Sequence, residues 1–284
     1  MKIISIPVAV HTNWFKNQLD LFWYHHKKIY GDTAYNMAHA IILKRNNIHD
    51  KKIEKLEWDI DIPHTMCDAY FDYDEKYKDL PLTQTNIQFG LIQIINKFKD
   101  DDVIEILDCD MFHMKERPAL DVKDNNVYVA TDYENWHLKS KTDNKHIIGM
   151  YLHNVGGDYN GGFVPIICNI RTLKKIMYEW IAVNVDIVKR NYSNEIIWWS
   201  SMYALSASCE KANVNMIEYN KCYIHKINEL TDDKYICHYS VDDMYINKKD
   251  IKKMLSIETY ERCKLSNNRY ANLYAEWLKT KINF

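Results

Sequence analysis

Apolar runs rich in Ile and Val alternate along this chain with longer amphipathic segments, an order that predicts an α/β protein built on a mostly parallel sheet flanked by helices. The first run, "IISIPVAV", reads as a strand, and the stretch from about Trp14 to Ile29 reads as an amphipathic helix that Gly31 ends. "MAHAIILKR" is expected to carry a second strand around its Ile pair. Residues 50–80 are polar and aromatic with many carboxylates and suggest only loops and short elements. In "TQTNIQFGLIQIINKFKD", Ile87, Leu91, Ile94, Ile95 and Phe98 share one helical face, and Thr85 with Gln88 has the spacing of a capping box. That helix feeds an apolar run at 103–107, which Glu105 interrupts for no reason visible in the sequence.

Later strands are expected at "VYVATD", "FVPIIC", "MIEYNKCYIH" and "KYICHYS", with helices from about Thr172 to Lys189 and from about Asn194 to Ser208. The end of the chain, Lys- and Asn-rich with apolar residues at helical spacing, predicts one or two helices on the outside. No internal repeat and no Pro/Gly/Ser linker divides the chain, so a domain over 1–245 with a helical extension over 246–284 packed on it is expected.

The apolar run at 103–107 ends in Asp108-Cys109-Asp110. Side chains alternate across a strand, so both carboxylates leave on one side and Cys109 on the other. Two hard oxygen donors at the carboxyl end of a buried strand suit Mg²⁺ or Mn²⁺, which fill their remaining positions with water and substrate phosphate oxygens. A second cue is glycine. The chain has only seven in 284 residues, and Gly156, Gly157, Gly161 and Gly162 all fall in "HNVGGDYNGGFVPIICN". Gly156-Gly157 reads as a hairpin turn, whereas Asn160-Gly161-Gly162, entering a buried strand, reads as main chain lining a pocket.

Composition narrows the partners. Net charge is -2 with 47% hydrophobic residues, and no basic stretch interleaved with aromatics stands out, so nucleic acid is disfavoured. Seven cysteines without C-x-x-C spacing read as reduced, buried thiols of a cytosolic-type compartment. The apolar start halts at Val10, Pro7 interrupts it, and no run reaches the roughly 18–20 residues of a membrane span, so a soluble, cytoplasmic protein without signal peptide or transmembrane segment is expected.

Taken in order, a strand-helix start, the D-x-D at a strand end, a strand ending in Asp132, the N-G-G entry, Asn194-Glu195 opening a helix and the late "CHYS" resemble a GT-A-fold, nucleotide-sugar-dependent glycosyltransferase over roughly residues 3–240. The pattern is closest to the retaining galactosyl- and glucosyltransferases and the plant peptidyl hydroxyproline and serine glycosyltransferases. The resemblance implies Mn²⁺ or Mg²⁺ as cofactor, a UDP-sugar donor and a glycan or protein acceptor. It implies Asp110 and His238 as metal ligands, with Asp108 on the ribose or a metal-bound water. It further implies that Val8, Ala9, His11 and Trp14 hold the nucleobase and ribose. Asp132, Asn160, Gly161 and Gly162 would touch the donor sugar, and Asn194 and Glu195 would lie beneath the anomeric carbon. The plant pattern has a Glu where Ser201 precedes Met202, a departure that leaves the carboxylate nearest the reacting carbon open; Glu195 is the first candidate for the proton-accepting carboxylate and Asp158 the next.

Other residues have plainer readings. His25-His26 is expected on the surface of its helix, and His113 is expected to pack. Trp136 and Trp198-Trp199 are core aromatics or a sugar platform. A sugar nucleotidyltransferase would want a Gly-rich phosphate loop after the first strand, and "PVAVHTNWFKNQ" has no glycine. A metal-dependent phosphohydrolase wants more clustered His and Asp ligands than this chain assembles. A non-catalytic nucleotide- or glycan-binding protein on the same scaffold is the third alternative.

Overall fold

All eight residues of β1 (Ile3–Val10) are buried, as expected of a strand covered on both faces. β1 lies between β2 (Ala40–Lys44) and β4 (Val103–Asp108) in a seven-stranded sheet of order β3-β2-β1-β4-β7-β6-β8. The remaining strands are β3 (His64–Asp68), β6 (Asn126–Ala130), β7 (Phe163–Asn169) and β8 (Asn215–Glu218). Neighbours pair in parallel except β7, which runs antiparallel to both β4 and β6. A three-stranded sheet of order β5-β10-β9 comprises β5 (Met111–His113), β9 (Cys222–Ile224) and β10 (Ile236–His238). The structure is a computed structural model that describes residues 2–44, 59–70, 82–130, 163–190, 197, 199–224, 230–239 and 251–282.

The first helix, α1 (Asn13–Tyr30), follows β1 after one turn. Thr12 caps it by accepting from the Phe15 N–H at 3.3 Å, and Gly31 ends it at φ 55°, a conformation that costs glycine little. After the short α2 (Ala34–Met37), α3 (Leu82–Ile94) packs over β1, β2 and β3. Its start at Leu82 puts Thr85 and Gln88 inside the helix, both buried, so they do not form the expected capping box. Ile87, Leu91, Ile94 and Ile95 are buried as the helical spacing predicts, with Phe98 packed partly against them. α4 (Ile170–Lys189) is capped by Asn169, which accepts from the Thr172 N–H at 2.8 Å, and packs along α5 (Ser200–Lys211).

Three C-terminal helices, α6 (Ile251–Met254), α7 (Ile257–Lys264) and α8 (Arg269–Leu278), build a second core. Tyr270, Tyr274, Trp277 and Leu278 meet Leu21 of α1, Phe112 of β5 and Cys237 of β10 there. This explains a departure from expectation: His25 and His26 are buried, not surface residues. Leu19, Phe22 and Trp23 of α1 join the main core while Leu21 joins the C-terminal one, so α1 is covered on more than one side and adjacent residues are enclosed together. His25 is 3.0 Å from the Leu273 carbonyl through Nε2 and stacks on Phe112. All seven cysteines are free and buried.

Candidate metal centre at the junction of two sheets

β1 and β4 run in register, Ile3 beside Val103 through Val8 beside Asp108. Asp108 therefore stands at the last paired position of β4, and β1 overruns it by Ala9 and Val10. Residues 109 and 110 turn the chain from the large sheet into β5 of the small one. β5 pairs antiparallel with β10, with Met111 opposite His238, and the Tyr239 N–H donates to the Asp110 carbonyl at 3.1 Å.

This topology brings Asp108, Asp110 and His238 together. His238 Nε2 lies 3.2 Å from an Asp110 carboxylate oxygen and 3.9 Å from one of Asp108. One potential ligand atom from each falls within 4.8 Å of the others. Both carboxylates are mostly covered, at 14% side-chain exposure each, and His238 is buried. Two carboxylate oxygens with one imidazole nitrogen form a donor set that suits Mn²⁺ or Mg²⁺. The Tyr239 phenol beside them is pushed well above its ordinary range by burial and then by the Asp110 charge. Cys109, in the turn between Asp108 and Asp110, is buried, its thiol 3.2 Å from the Gln18 side-chain oxygen within the core.

The residues expected around a nucleotide are placed unevenly. Val8 and Ala9 are buried in β1 and registered with Ile41 and Ile42 of β2. His11 continues that ladder by donating its backbone N–H to the Leu43 carbonyl at 3.0 Å. Trp14 sits in the first turn of α1, half-buried, with its ring edge-on to Phe15 at 4.4 Å. Trp199 packs partly against the main core, and Ser201 is buried with its carbonyl accepting from Trp180 Nε1 at 2.7 Å. Asp132, Trp136, Gly156, Gly157, Asp158, Asn160, Gly161, Gly162, Asn194, Glu195 and Trp198 lie outside the described residues.

A feature that sequence reasoning missed lies next to this centre. Glu105, the polar break in β4, is fully buried and accepts from Ser5 Oγ at 2.8 Å, from Arg117 Nε at 3.1 Å and through a short contact with the Tyr235 hydroxyl. Arg117 Nη2 also reaches the Glu105 carboxylate and Ser5 Oγ, and His113 Nε2 lies 3.2 Å from the same carboxylate. Burial would raise the Glu105 carboxyl, but the Arg117 charge and the hydrogen bonds win and hold it well below its usual range. Arg117 is raised in turn by the Glu105 charge against the opposing effect of burial. His113 therefore packs, as expected, with its ring nitrogen Nδ1 3.2 Å from that of His26. One signal was available: Ser5 and Glu105, the polar residues of two apolar strands, are cross-strand partners.

No protein-family model matches the chain, and no relative among curated proteins matches it. Among solved structures it is similar to the galactosyltransferase LgtC in complex with donor and acceptor sugar analogs, with a TM-score of 0.55 and 12% identity over 99% of this chain and 96% of that one. It is also similar to an active-site mutant of LgtC, with a TM-score of 0.50 and 12% identity over 99% and 96% of the two chains. An identity that low speaks to architecture. The mostly parallel seven-stranded sheet with flanking helices, matched over nearly the whole chain and carrying the D-x-D cluster at a strand end, gives this protein the GT-A fold.

Proposed function

We propose that this protein is a metal-dependent glycosyltransferase that moves a sugar from a nucleoside-diphosphate sugar, with UDP as carrier, to a hydroxyl of a glycan or protein acceptor. The observation that carries the reading is the convergence of Asp108, Asp110 and His238 at the carboxyl edge of a GT-A sheet. The binding of donor and acceptor sugar analogs by LgtC supports the substrate class. Asp110 and His238 would hold Mn²⁺ or Mg²⁺, with Asp108 toward the ribose or the ion's hydration shell. When bound, the ion supplies Lewis-acid stabilisation of the charge on the departing diphosphate.

The remaining roles belong to the chain itself. Val8, Ala9, His11 and Trp14, at or beyond the end of β1 beside Asp108, receive the nucleobase and ribose. Asp132, Asn160, Gly161, Gly162 and Asn194 line the donor sugar. The acceptor hydroxyl loses its proton to Glu195, or to Asp158, if the sugar's configuration inverts, and to a leaving phosphate oxygen if it is retained. Among the described residues no helix is long and apolar enough to cross a membrane, and the proposed site of action is the cytoplasm.

Release of UDP from UDP-hexoses in the presence of Mn²⁺ and sugar acceptors tests the assignment. Asp110→Ala should remain folded and lose turnover by about 10²-fold or more, the scale on which lost transition-state stabilisation is felt. A folded Asp110→Ala protein with wild-type turnover contradicts the metal site.

A further inference from the structure

We propose that Glu105, with Arg117 and Tyr235, is a positioning hub for the metal centre: it locks the small sheet to the large one so that His238 meets Asp108 and Asp110. The inference rests on the metal reading above. The candidate ligands come from different sheets, Asp108 from β4, His238 from β10 and Asp110 from the turn between them. Their spacing thus depends on how the sheets are held, and the chain itself passes between them through short links, residues 109–110 into β5 and 219–221 into β9.

The hub joins the two sheets through side chains. Each ligand stands three residues along its own segment from a hub member: Glu105 before Asp108, His113 after Asp110 and Tyr235 before His238. Glu105 lies on the large sheet, His113 in the small sheet and Tyr235 one residue before β10. Donors from both sheets converge on the one carboxylate, Ser5 from β1 and Tyr235 and His113 from the β10 and β5 side. Arg117 closes the arrangement. It bonds to Glu105 and Ser5, its backbone N–H donates to the Tyr30 hydroxyl at 3.2 Å, and its guanidinium carbon sits 5.9 Å from the Tyr235 ring centroid. The Met114 N–H donates to the Tyr235 carbonyl at 2.8 Å, fixing the chain between His113 and Arg117 to the same tyrosine.

Apolar packing is non-directional, so it would tolerate small slides of one sheet on the other. Charge-assisted hydrogen bonds to a single carboxylate do not, because their energy falls steeply with misalignment. A fully buried ion pair is weak evidence of stabilisation, since apolar residues of similar volume often serve as well. Its use here is geometric.

The test measures Mn²⁺ alone binding to the full chain by electron paramagnetic resonance, with thermal melting in parallel. The variants are Tyr235→Phe, Glu105→Gln and the double replacement Glu105→Leu with Arg117→Met. The last removes both charges and leaves neither stranded, and Tyr235→Phe keeps the ring that stacks on His113 and is the mildest of the three. The expected result is folded variants whose Mn²⁺ affinity falls about tenfold or more and whose bound-Mn²⁺ line shape changes. Folded variants with wild-type affinity and line shape overturn the hub while leaving the metal site standing. A wild-type chain that binds no Mn²⁺ refutes the metal site itself and the hub with it.

Discussion

Glu105 and the buried histidines show how a residue's meaning depends on what covers it. In the sequence Glu105 is a flaw in an apolar strand; in the fold it is the acceptor on which Ser5, Arg117, His113 and Tyr235 converge. Its partners at 117 and 235 are remote in sequence, so no local pattern could have found them. The His25-His26 expectation failed for a similar reason, because a helix covered by two cores has no single outer face. These histidines make the fold sensitive to acid. Burial lowers His25 to about 4 and, together with the His113 charge, His26 to about 2. Their unfolded-state values are the ordinary ones, so between about pH 6.5 and 4 the unfolded chain binds more protons than the folded one. The stability they confer is complete above pH 6.5 and drains away as pH falls, by about 2 kcal/mol for each at pH 5. Glu105, held low, loses its contribution only below the ordinary carboxylate range, a separate window. Urea denaturation should therefore show a less stable protein at pH 5 than at pH 7, and His25→Gln should lessen the difference; equal stability at both pH values contradicts this account.

At the scale of elements, periodicity was a good guide where burial is one-sided or complete. The eight buried residues of β1, the apolar face of α3 and the helix over residues 170–189 lie where the pattern puts them. Boundaries were less legible. α3 starts at Leu82 instead of near Thr85, and Thr85 and Gln88 are enclosed within it. The antiparallel entry of β7 between β4 and β6 is also invisible in a run of apolar residues, which reads alike in either direction. Gly90 marks how closely α3 lies on β2. A Cβ there would stand 2.5 Å from Ile41 Cγ2, whose side chain is buried and stiff at χ1. Gly90→Ala gains about 1 kcal/mol of helix propensity but pays an overpacking cost of about 1–3 kcal/mol, so the net effect should be a loss on the order of 1 kcal/mol. A Gly90→Ala protein that melts at a higher temperature than wild type would show that α3 is free to move off the sheet.

For the whole molecule, the order of motifs held more information than any one of them. Asp108 and Asp110 are neighbours in sequence, but His238 reaches them only because β10 pairs with β5 across more than a hundred residues. That pairing could be expected from resemblance and not from the local composition of "CHYS". The GT-A architecture then sets the D-x-D at the edge where β1 overruns β4, beside the proposed nucleotide pocket. The most direct measurement is the thermal stability of the purified chain with UDP, GDP, CDP, dTDP and their common sugars, each with Mn²⁺ and with a chelator, since a ligand that binds only the native state raises the melting temperature by mass action. The account predicts stabilisation by UDP and a UDP-sugar that requires Mn²⁺ and is lost in Asp110→Ala. No shift with any nucleotide, or a UDP shift indifferent to Mn²⁺ and to Asp110, would contradict it.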